Sequence, residues 1–269
     1  MSLPDTEGTV QTTQTSLDIL MAIRDRDGAR LREVADQVGV AKSTAYKHLT
    51  TLERNGYLRK NGETYHIGLK FLHYGEYARK RWPGFSHIKD AVAELAERTE
   101  EDIDFVVEDH GRITTIEESY HPWVKYDDRS EEAPSDGYRA NIGDYYHMHS
   151  TAAGLAILAE HSTDRVREII NRWGLPARTE HTITEQATLF EVLDRVRERG
   201  YAVNDQGYTE GMRSLGKAVE APDGTVLGAF SVSGPTYRLD GAVLEREIPT
   251  ALQEVVASLE ADLTARWSS

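Results

Sequence analysis

The sequence contains no cysteine among its 269 residues. Disulfide frameworks and thiolate zinc sites are therefore excluded, and any metal would have to be held by histidines and carboxylates. No apolar run approaches the roughly 18 residues that a membrane-spanning helix needs. Met1–Thr13 is polar and lacks the apolar core of a signal peptide, so we expect a frayed N-terminal tail on a cytoplasmic protein.

Positive charge is scarce, since 31 Lys and Arg stand against 45 Asp and Glu, for a formal net charge of −14. The imbalance is uneven: residues 1–88 carry 13 basic and 10 acidic side chains, and the remainder carries 18 and 35. The N-terminal part therefore has a small excess of positive charge and can form a local basic face, although the chain as a whole is acidic. Because halophiles also accept self-repulsion in exchange for solubility, we hypothesise a halophilic source.

Signatures of catalysis and of cofactor binding are also missing. No GxSxG motif and no dinucleotide glycine fingerprint occurs. Residues 211–218 are one residue away from a phosphate-binding P-loop, but Ala218 stands where that loop needs Ser or Thr. His147 and His149 could hold zinc together with His121 or a carboxylate, but two histidines without a placed third ligand are more often not a site. We therefore expect no cofactor, no metal and no catalytic residue.

Three short helices are predicted near the N-terminus. The first is capped by Thr15–Ser16, the second covers residues 31–38, and the third covers about residues 42–55. Gly39 ends the second helix, and only a few residues separate it from the third. Two short helices joined through a glycine turn, the second of them amphipathic, form the helix-turn-helix pattern.

The third helix places its polar side chains opposite its apolar stripe, at about 100° per residue. These side chains can donate to phosphates and base edges, although a solvated surface is the alternative reading of any single one. The candidate DNA contacts on this helix are Lys42, Ser43, Thr44, Tyr46, Lys47, Thr50 and Arg54.

A β-hairpin is predicted directly after the third helix, with Asn61–Gly62 as its turn. A hairpin in this position is a wing. Arg59 and Lys60 beside its tip suit backbone phosphates, and they are almost equally well explained as charges that blunt an edge strand.

Residues 69–81 are predicted to form a further helix, which Trp82–Gly84 ends. Beyond it, helices and short strands alternate, with helices predicted over residues 151–160, capped by Ser150 or Thr151, over 184–199 and from about residue 244 to the end. Asp127–Gly137 is predicted to be a surface loop. The predicted fold class is α+β, with an antiparallel sheet flanked by helices in the C-terminal part. The predicted division is a flexible tail at 1–14, a winged helix-turn-helix at 15–68, a linker helix at 69–84 and an effector-binding domain at 85–269.

Ordered motifs along the chain resemble the IclR family of transcription regulators. Residues 41–58 are similar to the family's recognition helix, and residues 65–75 to its linker. Residues 148–159 resemble its LHATAxGKALLA motif, residues 200–214 its GYAVDDEE region, and residues 231–239 its SVSGPxxRL motif. The resemblance implies a linker helix that helps to pair subunits and a GAF-like domain that binds small effectors, such as organic acids and aromatic or sugar-derived catabolites.

The resemblance also implies which residues line an effector pocket. They are Ile142, Gly143, Asn204, Ser214, Ser231 and Ser233. Asn204 stands where the family has a carboxylate and Ser214 where it has a cysteine, so we expect a pocket of neutral hydrogen-bonding groups. From the residues alone, the preferred explanation of Ser231 and Ser233 is that they are period-2 positions on the polar side of a strand, and it is the resemblance that favours a pocket.

Together these observations predict a homodimer, or a dimer of dimers, that binds double-stranded DNA at a palindromic operator. A small-molecule effector, an organic acid or a sugar-derived catabolite, would modulate that binding. Two alternatives remain open. One is an enzyme that acts on a small catabolite through Asp205, Glu210 and the histidines. The other is a C-terminal domain that binds no ligand and serves only assembly.

Overall fold

The computed structural model describes residues 8–120 and 142–267. The chain divides after Arg81 into two compact units, Met1–Arg81 and Trp82–Ser269. Within the described ranges, no helix is both long enough and apolar enough to cross a membrane.

The first unit is a helix-turn-helix followed by a wing. A short strand precedes the second helix and joins the hairpin in a three-stranded antiparallel sheet of order β1-β3-β2. The elements in chain order are α1 Gln11–Asp25, β1 Ala29–Arg30, α2 Leu31–Val38, α3 Lys42–Arg54, β2 Leu58–Asn61, β3 Thr64–Ile67 and α4 Lys70–Lys80.

A small apolar core holds this unit together. Ile19 and Ile23 of α1, Val34 of α2 and Leu49 of α3 meet there, each at most 1% exposed. At the base of the wing, Gly68 lies against the backbone of residues 56–57, where an added Cβ would come within 2.3 Å of a carbonyl oxygen. Only glycine fits at this position, which brings the start of α4 close to the end of α3.

Two local expectations for this unit are wrong. Helix α1 begins at Gln11, four residues before the predicted cap, because Thr15 is inside the helix and its hydroxyl donates to the Gln11 carbonyl at 2.9 Å. The hairpin turn lies one residue later than predicted, because Asn61 still pairs with Thr64. Gly62, with φ of +58°, is therefore the first of the two loop residues.

The second unit is a six-stranded antiparallel sheet of order β6-β5-β4-β9-β8-β7, with helices on both faces. Its elements in chain order are α5 Phe85–Thr99, β4 Asp102–Asp109, β5 Arg112–Ser119, β6 Tyr145–Tyr146, α6 Ala152–Glu160, α7 Thr163–Trp173, α8 Gln186–Arg199, β7 Ala202–Asp205, β8 Met212–Glu220, β9 Val226–Pro235 and α9 Ile248–Trp267. This is the predicted α+β, GAF-like architecture.

The alternation of side chains along β4 shows how the sheet separates two cores. Ile103, Phe105 and Val107 pack against the layer of α5 and α9, and the Phe105 ring meets Phe230 edge-on at 4.8 Å. Val106 packs in the layer of α6, α7 and α8 on the other face. Asp102 and Asp104 share the face of Val106 because side chains two apart on a strand point the same way.

Several boundaries in this unit differ from the sequence expectations. Helix α8 begins at Gln186 instead of Thr184, since its N-cap residue Glu185 is extended. The last helix is preceded by a π-helical turn, Val243–Glu247. The predicted loop Asp127–Gly137 lies outside the described residues. Helix α6 begins as expected, with the Thr151 hydroxyl accepting from the Gly154 amide at 3.0 Å.

Candidate nucleic-acid interface and ligand cavity

Helix α3 presents the predicted polar face to solvent. Ala45 and Leu49 are completely buried on its inner side. Tyr46 is 56% exposed, and Thr50 is half-buried at the margin of the polar face. The other candidates on this helix are all exposed: Lys42, Ser43, Thr44, Lys47 and Arg54.

The position of α3 is fixed by a hydrogen bond to α1 as well as by the core. The His48 ring nitrogen Nδ1 and the Ser16 hydroxyl are 2.7 Å apart. This contact lies on the edge of α3, next to the outward-facing Lys47. It holds the helix without occupying any of the predicted DNA contacts.

The cations of this face form no ion pair with any residue in the part of the chain that the structure describes. They are Lys42, Lys47 and Arg54 of α3 and Arg59 of the wing. Other cations of the same unit do pair, for example Arg79 and Lys80 with Glu76. Lys60 on the wing is exposed and lies 5.2 Å from the Tyr65 ring centroid. A surface with this charge is suited to phosphates.

The second unit contains a cavity of about 80 Å³ on the face of the sheet that carries α6. At roughly 10–15 Å³ per water on this scale, the cavity has room for several waters or one small organic molecule. It is lined by Asp102, Asp104, Val106, Tyr120, Tyr146, Thr151, Ala153, Asn204, Tyr208, Thr209, Met212, Arg213, Ser214, Ser231 and Ser233.

Strand register arranges the polar lining into rows. Asn204 pairs with Ser214, Ser214 with Ser233, and Ser233 with Asp102, so one polar row crosses β7, β8, β9 and β4. In the next row, Ser231 pairs with Asp104. The hydroxyl oxygens of Ser231 and Ser233 are 3.1 Å apart. The side-chain oxygen Oδ1 of Asn204 accepts a hydrogen bond from the Gly207 amide at 3.0 Å, which fixes the orientation of this side chain.

Two tyrosines form a wall of the cavity. The rings of Tyr146 and Tyr208 lie 5.6 Å apart, and the Tyr146 hydroxyl is 2.6 Å from the Thr115 hydroxyl. The Arg178 guanidinium lies over the Tyr208 ring, 3.9 Å from its centroid. Burial, followed by the charge of Asp104, raises the pKa of Tyr146 well above its ordinary value, so this phenol remains neutral and can donate.

A glycine of β8, next to the cavity, allows α6 to approach the sheet. Gly216 pairs with Ser231, and a Cβ there would come within 2.5 Å of the Ala152 backbone. The helix therefore starts directly above β8, and Thr151 and Ala153 at its N-terminus line the cavity.

The structure brings together four of the six pocket residues that the resemblance implied: Asn204, Ser214, Ser231 and Ser233. Ile142 and Gly143 are exposed at the edge of the sheet beside Thr115 and do not line the cavity. The expectation of a neutral lining is wrong, because Asp102 and Asp104 belong to it. A local signal for them existed, since these two acids alternate with the buried Ile103 and Phe105 in β4.

Asp205 and Glu210, the two acids considered as catalytic residues, are both exposed at the surface. Arg213 binds Asp205 at 2.9 Å and the Leu239 carbonyl at 2.6 Å. The hydrogen bond from Arg213 lowers the pKa of the Asp205 carboxyl. Glu210 is exposed and does not line the cavity. These acids are therefore not paired as a general acid and base would be.

The two histidines weighed as metal ligands have ring centroids 5.7 Å apart. His149 is buried and its Nε2 contacts the Pro176 carbonyl at 3.1 Å, while burial lowers the pKa of His147 to about 4. His121 lies outside the described residues. Within the described ranges, no group of three or more histidines and carboxylates could hold a metal ion.

A winged helix-turn-helix with an exposed, unpaired basic face, followed by a sheet domain with a polar cavity, defines a DNA-binding transcription regulator with a sensory domain. Residues 14–62 match the IclR helix-turn-helix domain, and residues 85–261 match the family described as bacterial transcriptional regulator IclR C-terminal. The chain belongs to the IclR family.

Curated and solved relatives agree with this assignment. The chain is 27% identical over 250 residues to the probable HTH-type transcriptional regulator ArcR of Halobacterium salinarum, covering 92% of each protein. It is 28% identical over 248 residues to the HTH-type transcriptional regulator KdgR of Escherichia coli, covering 90% of this chain and 89% of KdgR. The fold is shared with an IclR homologue of Microbacterium hydrocarbonoxydans solved in complex with 4-hydroxybenzoate, with a TM-score of 0.73, 20% identity, and 94% and 99% of the two chains covered.

Proposed function

We propose that this protein is a homo-oligomer that binds a palindromic operator through α3 and the wing, and that a small effector in the sheet cavity modulates this binding. The observation that carries the proposal is the face of α3, on which cations that form no ion pair with any described residue lie beside exposed hydroxyls. The working division is a DNA-binding domain from the start of α1 at Gln11 to residue 68, a linker at 69–84 and an effector-binding domain at 85–269.

The contacts on DNA divide into two kinds. Ser43, Thr44, Tyr46 and Lys47 lie in the first half of α3, the part of a recognition helix that reaches base edges. The remaining donors would fix the protein on the backbone by contacting phosphates. They are Lys42, Thr50, Arg54, Arg59 and Lys60.

Pairing of subunits is supported by the surface of α4. Leu69 at its start is 83% exposed, Leu72 is 64% exposed and Tyr77 is 59% exposed. Large apolar side chains that are grouped on an exposed helix mark an interaction surface. A two-fold axis through this helix would place two recognition helices on successive major grooves and would require a palindromic operator.

The effector proposal is supported by the cavity and by the relative solved with 4-hydroxybenzoate. Asn204, Ser214, Ser231 and Ser233 would contact the effector. A concave site with a few convergent polar groups is the usual form of a small-molecule site.

Two linked experiments test the proposal. Random DNA duplexes selected on the full chain should yield an inverted repeat, whose affinity is then measured by fluorescence anisotropy. A thermal-shift screen of organic acids, aromatic acids and sugars should identify a compound that raises the melting temperature, because a ligand of the folded state stabilises it. Recovery of only asymmetric or random DNA would contradict the operator proposal. Turnover of the stabilising compound would favour an enzyme over a sensor.

A further inference from the structure

Two arginines lie against one tryptophan at the β6 edge of the sheet in the second unit. The guanidinium carbon Cζ of Arg112 is 4.3 Å from the centroid of the Trp173 ring, and that of Arg172 is 5.3 Å from it. Arg112 also lies over the Tyr145 ring, 4.7 Å from its centroid. We call these four residues the edge cluster. None of them lines the sheet cavity, so the cluster is separate from the proposed effector site.

Trp173 is held in place by the hairpin between β4 and β5. Its indole N–H donates to the His110 carbonyl at 2.8 Å. Gly111, with φ of +82°, allows this approach, since a Cβ there would lie 2.9 Å from the indole nitrogen. The face of an aromatic ring attracts cations, so the fixed indole is a platform for both guanidiniums.

The two guanidiniums of the edge cluster have no anionic partner among the residues that the structure describes. Neither forms an ion pair or a hydrogen bond with a described residue, and Nε of Arg112 is buried without a hydrogen-bond partner. Arg167, on the same helix as Arg172, does bind an acid, Asp164, at 3.2 Å. The cluster therefore carries two positive charges side by side in the acidic part of the chain.

These positive charges act on one another. Burial is the main cause that lowers the pKa of Arg112, and the charge of Arg172 lowers it further, while Tyr145 and Asp109 act in the opposite direction. The Asp109 carboxylate accepts from the Tyr145 hydroxyl and forms no ion pair with Arg112. A guanidinium stays charged in spite of such a shift. A bound anion would offset the repulsion and accept from the terminal nitrogens of both arginines.

We propose that the edge cluster is a second ligand site, which binds a small multivalent oxyanion such as a phosphate ester or a di- or tricarboxylate. The planar fork of arginine donates two parallel hydrogen bonds to carboxylate and phosphate groups. Because both guanidiniums lie against one ring, a single anion at the edge of that ring reaches both.

His147 can add a donor to this site. Its ring centroid is 6.5 Å from that of Trp173, and its ring nitrogens form no hydrogen bond with a described residue. Burial first, and then neighbouring charges that include Arg112, lower the pKa of His147 to about 4. The imidazole is therefore neutral near pH 7 and keeps one N–H for an anion.

A ligand in the edge cluster would join the end of α7 to the edge of the sheet, since Arg172 belongs to the last turn of α7 and Arg112 begins β5. Tyr145 of the cluster and Tyr146 of the cavity wall are neighbours in β6, so one strand borders both sites. The inference goes beyond the proposed function, because no step of it requires the cavity to bind an effector.

Titration calorimetry on the full chain tests the site with four anions at equal ionic strength. Glycerol 3-phosphate, succinate and citrate are multivalent and separate phosphate from carboxylate chemistry, whereas acetate carries a single charge. At least one multivalent anion should bind with a Kd of about 1 mM or lower, and acetate at least about tenfold more weakly, because it engages one guanidinium instead of two. Absence of such binding by every multivalent anion, or equal binding of acetate, overturns the proposal.

Two variants show whether the anion lies in the edge cluster. Arg172→Gln removes an exposed charge, and Arg112→Met removes a charge while keeping an apolar stem between the two rings. Each should weaken binding of the multivalent anion by about ten- to a hundredfold, the usual effect of losing a charge-assisted contact. Arg167→Gln, next to Phe190 on the same helix, is the matched control and should leave the affinity unchanged.

Unchanged affinity in either variant would place the anion elsewhere in the chain and would overturn the proposal. Far-UV circular dichroism checks the fold of each variant. If Arg112→Met does not fold, Arg172→Gln decides by itself, because Arg172 is exposed and its side chain contributes nothing to the described core.

Discussion

Ser233 of β9 lies directly opposite Asp102 of β4 on the floor of the cavity. Ser233 also pairs with Ser214 of β8. It therefore lies between Asp102 and Ser214, and the family motifs indicate both serines as pocket residues. Because side chains alternate along a strand, a shift of one residue in this pairing would move every member of the row to the opposite face. The chemistry of the cavity therefore depends on the register between β4, β9 and β8.

Replacing Lys47 with Ala should weaken operator binding and flatten its dependence on salt. Lys47 is exposed on α3 and forms no ion pair within the described residues, so it is available to a phosphate or a base. Loss of one phosphate contact lowers the slope of log affinity against log salt by about one. Anisotropy titrations at several salt concentrations would measure this. Lys89→Ala, exposed on α5, is the control, and unchanged affinity of the Lys47 variant at every salt concentration would refute the assignment.

Replacing Leu72 with Glu should separate the subunits. Leu72 is 64% exposed on α4, so a charge there costs little within one chain but would be buried in the proposed interface. Analytical ultracentrifugation should show a smaller species for the variant, and its far-UV circular dichroism spectrum should be unchanged. Ala78→Glu places the same charge on an exposed position of the opposite side of α4 and should leave the assembly intact. An unaltered sedimentation coefficient for Leu72→Glu would exclude this helix from the interface.

A half-buried acid near the end of β4 should make stability depend on pH. Glu108 accepts from His161 Nε2 at 2.9 Å and from Arg165 Nη2 at 2.7 Å, and these hydrogen bonds lower its pKa to about 2. A lowered pKa stabilises the folded state above the ordinary pKa of the carboxyl, and that contribution is lost as the pH falls from about 4.5 towards 2.

Glu108→Gln should therefore lower the free energy of unfolding by about 1–2 kcal/mol at pH 7 and by progressively less below pH 4.5. Urea unfolding at a series of pH values would measure the difference from the unmodified chain. Glu168→Gln removes an exposed partner of the same Arg165 and should change stability by less than about 0.5 kcal/mol. A Glu108→Gln deficit that stays constant down to pH 3 would show that the carboxyl is not responsible.

The net charge of −14 leads to a prediction about salt. If the sequence is adapted to a saline interior, multimolar KCl should raise the free energy of unfolding, because salt screens the repulsion among the acidic side chains. Circular dichroism during thermal unfolding in dilute buffer and in multimolar KCl would test this. Full stability in dilute buffer would count against the halophilic hypothesis.

Sequence reasoning located the elements that have a strong local signal. Ala45 and Leu49 recur at helical spacing and are buried, so the outward face of α3 could be predicted. Asn61–Gly62 predicts the hairpin, but one residue too early, since local composition does not determine which neighbour continues the pairing. The sequence predicts too late a start for α1, because Thr15 has the chemistry of a cap and yet lies inside the helix.

The cavity was harder to predict because it is assembled from distant segments. Ser231 and Ser233 alternate along one strand, and the family motifs place them in a pocket. Asp102 and Asp104 follow the same alternation almost 130 residues earlier, and nothing local shows that β4 lies beside β9. Pairing between distant strands is the information that the sequence pattern lacks, and it adds two acids to a lining that was expected to be neutral.

The central claim is that the cavity and the DNA-binding face act on one another. Operator affinity should be measured by anisotropy with and without a saturating compound that raises the melting temperature, for the unmodified chain and for Ser233→Leu, whose larger side chain fills the cavity. The account predicts that the compound changes the operator Kd of the unmodified chain by at least about fivefold, within the usual range of allosteric coupling, and leaves that of the variant unchanged. Identical operator affinity of the unmodified chain at zero and saturating compound would contradict it.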